Sequence, residues 1–321
     1  MNRRTLLASA LLLPAAAAAQ PAWAPARPVR LVVPFAAGGS TDVAARILAE
    51  RMGETLGQPV VVENRTGSAG FIGAENVARS APDGHSLLMG ATGLLAIAPH
   101  LYATMPFNVE RDLAPVSMAF ASDLVISVAN NVPARTLPEL IALAKAQPGA
   151  LNYASSGAGT TTHVATELFR LAAGIELTHV PYRGSSQAMN DLMAGNVQVL
   201  VDQIAGSIGQ IRDGRIRALA VTGTARHALL PDVPTVAEAG LPGAQATSWG
   251  AVMAPAGTPA PAVARLAAAV REAMTQPAVR SRMSAAGADP AFSTPEELAA
   301  FIRAENQKWG RVVRDGRITV S

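Results

Sequence analysis

The sequence predicts an α/β protein of two domains, with parallel-type sheets flanked by helices, and three observations carry that prediction. Short apolar runs of strand length alternate with helix-length stretches along most of the chain. Nearly every run leads into a loop of Gly, Pro, Ser or Thr that opens the next helix. At 321 residues, the chain suits two cores better than one.

The N-terminus sets the compartment. Met1-Asn2-Arg3-Arg4 is a basic start, Leu6 to Leu13 an apolar run, and Ala15 to Ala19 a small-residue tract. That order predicts a secretory signal peptide over 1–19, cut after Ala19 or as late as Ala24, and therefore a periplasmic protein. The run is far shorter than the roughly 20 apolar residues that span a bilayer. Arg3-Arg4 leaves Sec and twin-arginine export both open. A buried helix here is opposed by Pro14, Pro21, Pro25 and Pro28.

The elements then follow in order. Val29–Val33 reads as a buried strand, 34–39 as a loop, and a helix starts near Ser40. Ser40 or Thr41 is the expected cap, and Asp42 suits the positive end of the helix dipole. Val43/Ile47 and Leu48/Met52 give that helix an inward stripe, and Gly57 and Pro59 stop it. Strands are expected at 59–62, 86–90, 151–154, 177–180, 197–201 and 217–221, with helices through 171 and over 186–194. The C-terminal stretch differs. Pro261 opens a helix to Met274, another follows Pro277, and Thr294-Pro295-Glu296-Glu297 is a capping box with proline at N1. Helices without strands read as a flank on an existing lobe. The expected lobe 1 is therefore 25–125 plus 249–321, with lobe 2, 126–248, inserted. The hinge crossings are expected at 122–128 and 247–253.

Composition narrows the function. There is no cysteine, so neither disulfides nor an N-terminal lipid anchor on cysteine is available. The sequence pI is about 9.8, yet the formal charge is only +3, and removing Arg3 and Arg4 leaves +1. Lys145 and Lys308 are the only lysines and there are three tyrosines, so little titrates between histidine and arginine. No basic run is interleaved with aromatics, and no nucleic-acid partner is expected.

The loops after the strands carry the chemistry. In open α/β sheets ligands sit beyond the carboxyl ends of strands, where helix N-termini converge. Four such loops are rich in small and hydroxyl residues: 34–42, 91–93, 155–160 and 181–185. Glycine lets backbone approach a ligand, and free N–H and hydroxyl groups then hold an anion. Four or five such bonds at about 1.5–3 kcal/mol each suffice for a micromolar complex after entropic costs. Any one loop alone reads equally well as a helix cap. The set of four does not.

Other chemistries fit poorly. Gly157-Ala158-Gly159-Thr160-Thr161-Thr162 misses the dinucleotide fingerprint at its last position and lacks the later acid; the 67–73 glycines have the wrong spacing. No Walker A or GxSxG sequence occurs, and the five histidines have no metal-ligand spacing, so neither cofactor nor metal is expected. Ser155 could meet His163 in space, but capping or packing is the better reading of His163. Asp202 ends an apolar strand; it orients a ligand amine or a water, or only caps the next helix.

The ordered segments PFAAGGSTD (34–42), VVENRTGSAGFIGAE (61–75), APDGHSLLMG (81–90), LNYASSGAGT (151–160), HVPYRGS (179–185), RALAVTGTAR (217–226), LPDVPTVAEAGLPG (230–243) and APAGTPAP (254–261) resemble the tripartite tricarboxylate transporter receptors, or Bug receptors. The resemblance runs along nearly the whole mature chain. It implies a two-lobed type II periplasmic binding protein fold with the cleft between the lobes. It also implies an organic carboxylate ligand held by main chain, hydroxyls and water. Carried over, the candidates are Phe35, Ser40, Thr41, Asp42, Gly70, Thr92, Ser155, Ser156, Gly157, Thr160, Tyr182, Gly184 and Asp202. The chain departs from the family at Ala36-Ala37, at the apolar Leu94-Leu95-Ala96-Ile97-Ala98-Pro99, and at Val201-Asp202-Gln203. These departures favour a ligand with one carboxylate and an apolar body. The expected role is a monomeric receptor serving membrane permease subunits. The alternatives are a ligand-presenting sensor and, with less support, an exported hydrolase.

Overall fold

The computed structural model describes residues 23–320, so the expected signal peptide over 1–19 lies outside the described residues. In chain order the first elements are β1 (Val29–Val33), α1 (Ser40–Leu56), β2 (Val60–Asn64), α2 (Phe71–Ala78) and β3 (Ser86–Ala91). A π-helical turn over Gly93–Ile97 leads into α3 (Ala98–Leu101), then α4 (Val109–Asp112) and the long β4 (Leu113–Ala129). Next come α5 (Leu137–Ala146), β5 (Asn152–Ser155), α6 (Thr161–Ala173), β6 (Thr178–Pro181), α7 (Ser185–Ala194), β7 (Val199–Gln203), α8 (Ile204–Arg212) and β8 (Ile216–Val221). The chain then makes β9 (Thr247–Pro255), α9 (Ala260–Thr275), α10 (Pro277–Ala285), β10 (Asp289–Pro290) and α11 (Pro295–Asp315).

The strands run β2-β1-β3-β9-β4-β7-β5-β6, with β8 and β10 also paired to β4. β1 is parallel to β2 and β3, and β5 is parallel to β6 and β7. Everything that touches β4 or β9 is antiparallel, so the sheets are mixed rather than purely parallel. The reason is β4. Its first part, to Asp123, pairs with β9, and from Leu124 onward it pairs with β7 and β8. One strand thereby belongs to both halves of the sheet. Pro115 is tolerated in it because the register shifts there, at a bulge.

Thr222 ties the second passage to the first. Its hydroxyl donates to Ala246 O at 2.6 Å and accepts from Leu124 N at 3.0 Å. Ala246 N donates back to Thr222 O, and Thr247 pairs with Asp123.

Two apolar layers flank the β1–β3 half. Val29, Leu31, Val33, Leu87 and Met89 pack with α1, α9 and α10, while Val32 and Leu88 face α2, the π turn and α11. Trp249 and Trp309 are fully buried, and both indoles donate to Glu305 Oε2, at 2.9 and 2.8 Å. That carboxylate docks α11 onto β9. The Thr294 capping box and Pro295 start α11 as the sequence requires.

One local expectation fails. Neither Ser40 nor Thr41 caps α1; the N-cap is Gly39, without a side-chain hydrogen bond. The cause is Asp42, which holds Gly38 N at 2.8 Å and draws the turn one residue further back.

Candidate functional site

The carboxyl ends of β1, β2 and β3 face the start of α6. Between them lies a cavity of about 480 Å³, lined by 34–36, Thr66, Gly67, Ala69, Gly70, Gly93, Leu94, Ala98, Leu101, Tyr102 and 158–160. None of these residues carries a formal charge. The approach across it is close: a Cβ on Gly93 would lie 4.0 Å from Thr161 Oγ1, and one on Gly159 would strike Leu101.

Of the candidates, Phe35, Gly70 and Thr160 line this cavity, and Thr92 stands beside Gly93. Gly70 has a φ of 94°, and Ser68 and Ala69 are also left-handed, which folds the 67–70 turn against Phe35. Ser40 and Thr41 follow the lining residues at the start of α1. The lack of a side-chain cap leaves its first N–H groups without a partner from that source.

Several candidates are committed to the scaffold. Asp42 is 2 % exposed and accepts from Gly38 N, from Arg46 and, at 2.8 Å, from Asn64 Nδ2. Burial raises its carboxyl, but the bonds from Arg46, Gly38 and Asn64 together hold it below the ordinary carboxylate range. Asn64 also donates to Phe35 O at 3.1 Å, so the pair fixes the whole 35–42 loop. Thr92 Oγ1 donates to Trp249 O and accepts from Trp249 N, which uses its one proton.

The 155–160 loop is a hydroxyl cluster. Ser156 Oγ lies 2.9 Å from Thr162 Oγ1 and 3.2 Å from Thr160 Oγ1, and the two threonines are 3.0 Å apart. Thr160 caps α6 and donates to Gly157 O at 2.7 Å. Gly157, at φ 137°, turns its backbone toward Tyr182 O. Ser155 is buried, 2.7 Å from His179 Nε2 rather than paired with His163. Gly159 N donates to His163 Nδ1, so His163 is a packing and turn residue.

Tyr182, Gly184 and Asp202 stand away from this cavity. Tyr182 Oη donates to Asp191 at 2.5 Å; burial and that carboxylate push the phenol up to about 12. Gly184 precedes α7 as its N-cap. Asp202 Oδ1 accepts from Gln203 N at 2.8 Å and from Ser185 Oγ at 3.3 Å. Burial pushes its carboxyl up to about 6 against those two bonds. It therefore ties the ends of β7 and α7 together rather than capping α8, whose N-cap is Gln203.

Reasoning from strand ends missed Leu101, Tyr102 and Thr66. Leu94 and Ala98, by contrast, lie in the apolar segment that marks this chain off in sequence. Among the described residues no group of three or more His, Asp or Glu side chains is arranged to hold a metal ion, and no helix is long and apolar enough to cross a membrane.

A model of the tripartite tricarboxylate transporter family receptor matches residues 44–317. The chain belongs to this family. It is 41% identical over 292 residues to protein BugT of Bordetella pertussis, covering 91% of this chain and 90% of that one. Among solved structures it is similar to Rpa4515 of R. palustris with adipate, 36% identical with a TM-score of 0.79, over 92% of this chain and 99% of that one. It is also similar to MatC of Rhodopseudomonas palustris with bound malate, 35% identical with a TM-score of 0.74, over 90% and 99%. The two-lobed periplasmic binding protein fold and the role of solute-binding receptor follow from that membership.

Proposed function

We propose that this receptor captures a small monocarboxylic acid with an apolar body in the cavity between β1–β3 and α6. The observation that carries the reading is the uncharged lining: Phe35, Leu94, Ala98, Leu101 and Tyr102 offer apolar contact, and Thr160 and the adjoining Ser156 offer hydroxyls. The carboxylate is met by the Ser156 hydroxyl and by helix-start N–H groups, since the Thr160 proton goes to Gly157 O, and it needs no arginine. The adipate and malate of the solved relatives support a carboxylate guest, and the apolar wall argues against a second charged end. Phe35, Gly70, Ser156, Gly157 and Thr160 contact the guest, while Asp42, Thr92 and Ser155 hold the loops that do so. Ser40, Thr41, Tyr182, Gly184 and Asp202 approach it when the lobes close.

The receptor is exported to the periplasm with residues 1–19 removed, acts as a monomer and delivers its guest to membrane permease subunits. The lobes divide where β4 changes partners, beside Asp123 and Thr247. A ligand touching both lobes favours the closed form by its differential affinity. The role we propose is binding without turnover, in keeping with a family of solute-binding receptors.

Isothermal titration with hexanoate, benzoate, malate, citrate and aspartate tests the reading. Hexanoate or benzoate should bind at micromolar to low-millimolar levels and the polyacids far more weakly. Binding of malate or citrate with no response to either monoacid would refute it.

A further inference from the structure

A second cavity, of about 540 Å³, shares no lining residue with the first. It lies against β4 at Ser122 and Asp123, and is closed by Ile204, Ala205 and Ile208 of α8, by the 224–229 loop, and by the turn from α10 to β10. Its size is that of a small-molecule pocket, about 300–1,000 Å³. We infer that it binds a small alkylammonium ion, with the Asp123 carboxylate as its counter-charge.

The charge balance points to a cation. Two carboxylates line the cavity, Asp123 and Asp289. The Arg226 guanidinium is already paired, its Nε donating to Glu238 and its Nη1 to Pro231 O. His227 Nδ1 accepts from Leu229 N at 3.2 Å, which leaves its Nε2–H to donate to Asp289 at 3.2 Å. Asp289 is thus answered. Asp123 is not: its carboxylate makes neither a hydrogen bond nor an ion pair among the described residues, and burial holds it above the ordinary range, with His227 opposing and Asp289 adding to the shift. Its carboxylate lies directly over Gly223, where a Cβ would come within 2.0 Å of Oδ2. No side chain can approach from that direction.

The apolar half of the site is equally specific. Ile204 is 3 % exposed and Leu229 is 39 % exposed at the rim, with Ile208 between the walls. An ammonium head at Asp123 would lay a short alkyl chain along these residues. A carboxylate would meet Asp123 and Asp289 instead, so the two cavities select guests of opposite charge.

The walls come from both halves of the sheet. α8 and the 224–229 loop follow β7 and β8, whereas α10 and β10 sit with the other half, where Gly287 touches Ala205 and Ser122 Oγ donates to Gly287 O at 2.8 Å. A guest held between them is energetically linked to the relative placement of the lobes, and so to the first cavity.

The test is titration of the mature chain with hexylammonium chloride, followed by NMR shifts and calorimetry, with hexanoate as the opposite-charge control. Saturable hexylammonium binding at millimolar levels is expected, weakened at least tenfold in Asp123→Asn and severalfold in the rim variant Leu229→Ser, each with an unchanged near-UV CD spectrum. Hexylammonium affinity unaltered in Asp123→Asn, or no saturable binding to the wild type, overturns the assignment. Should Asp123→Asn not fold, undiminished binding by Leu229→Ser overturns it equally. Hexanoate reports on the other cavity, so a failure of that reading and a failure of this assignment show in different ligands.

Discussion

The imidazoles of His163 and His179 stack face to face, with centroids 3.9 Å apart and planes 10° from parallel. Burial and the neighbouring ring push His163 down to about 4, and burial lowers His179 as well. An unfolded histidine titrates near 6.5, so between about 6.5 and 4 the unfolded chain binds more protons than the native one. Stability from this pair is therefore complete above pH 6.5 and lost as the pH falls toward 4. His163 alone should account for about 2 kcal/mol after a discount for solvent screening. Urea melts at pH 7.5 and 4.5 should show the loss, and His163→Gln should flatten it. An equal slope in the variant would count against the stacked pair as its source.

Asp202 acts in the opposite sense. Its folded-state value, raised to about 6, means that the native chain holds the proton more tightly than the unfolded one. Its contribution is present below about pH 4 and lost as pH rises through 6. Asp202→Asn keeps an oxygen for Gln203 N and Ser185 and removes the buried charge. It should raise stability by about 1–2 kcal/mol at pH 8 and change little at pH 4. Thermal unfolding at the two pH values decides the matter. A lower melting temperature at pH 8 would show that the ionised form is needed.

Asn64→Ala should weaken the front loop without unfolding the protein. The amide of Asn64 joins Phe35 O to Asp42 and also accepts from Arg46 Nη2 at 2.9 Å, and among the described residues it is the one side chain that bonds both ends of the 35–42 segment. Its loss leaves Asp42 with fewer donors, which costs about 1–3 kcal/mol. Because the loop lines the first cavity, carboxylate affinity should fall roughly tenfold, the equivalent of about 1.4 kcal/mol. Calorimetry on the refolded variant would detect this. Unchanged affinity would place the guest away from Phe35.

These relationships mark where sequence reasoning works and where it stops. The strands of β1, β3 and β5 are short apolar runs ending in glycine-rich loops, so local chemistry reveals them. Of β4, the sequence marks only the stretch 122–128, as a hinge crossing. Its first half, Leu113 to Asp123, mixes Ala, Ser, Pro and Asp with its apolar residues and is a strand because β9 pairs with it. The glycine- and hydroxyl-rich loops after the strands are equally legible, but the use of their hydroxyls is not. Thr92 is spent on Trp249, 157 residues away, and Ser155 on His179, 24 residues away. Leu101 and Tyr102 enter the cavity from α3 and the residue after it, not from a strand end, so the strand-end rule had no means of finding them.

Thr222 offers the sharpest test of the hinge. It is 2 % exposed, and its hydroxyl joins Leu124, where β4 changes partners, to Ala246, where the chain returns. Valine fills the same volume but leaves Leu124 N and Ala246 O without that partner, a cost of about 1–3 kcal/mol. The loss falls at the junction and nowhere in either cavity lining. Thr222→Val should therefore lower the unfolding free energy by that amount. It should also speed amide exchange selectively at Leu124 and Ala246, while exchange within β1 and β5 changes only as global stability does. If exchange accelerates uniformly, the hydroxyl is an ordinary core bond and the two passages are joined by their backbone pairing alone.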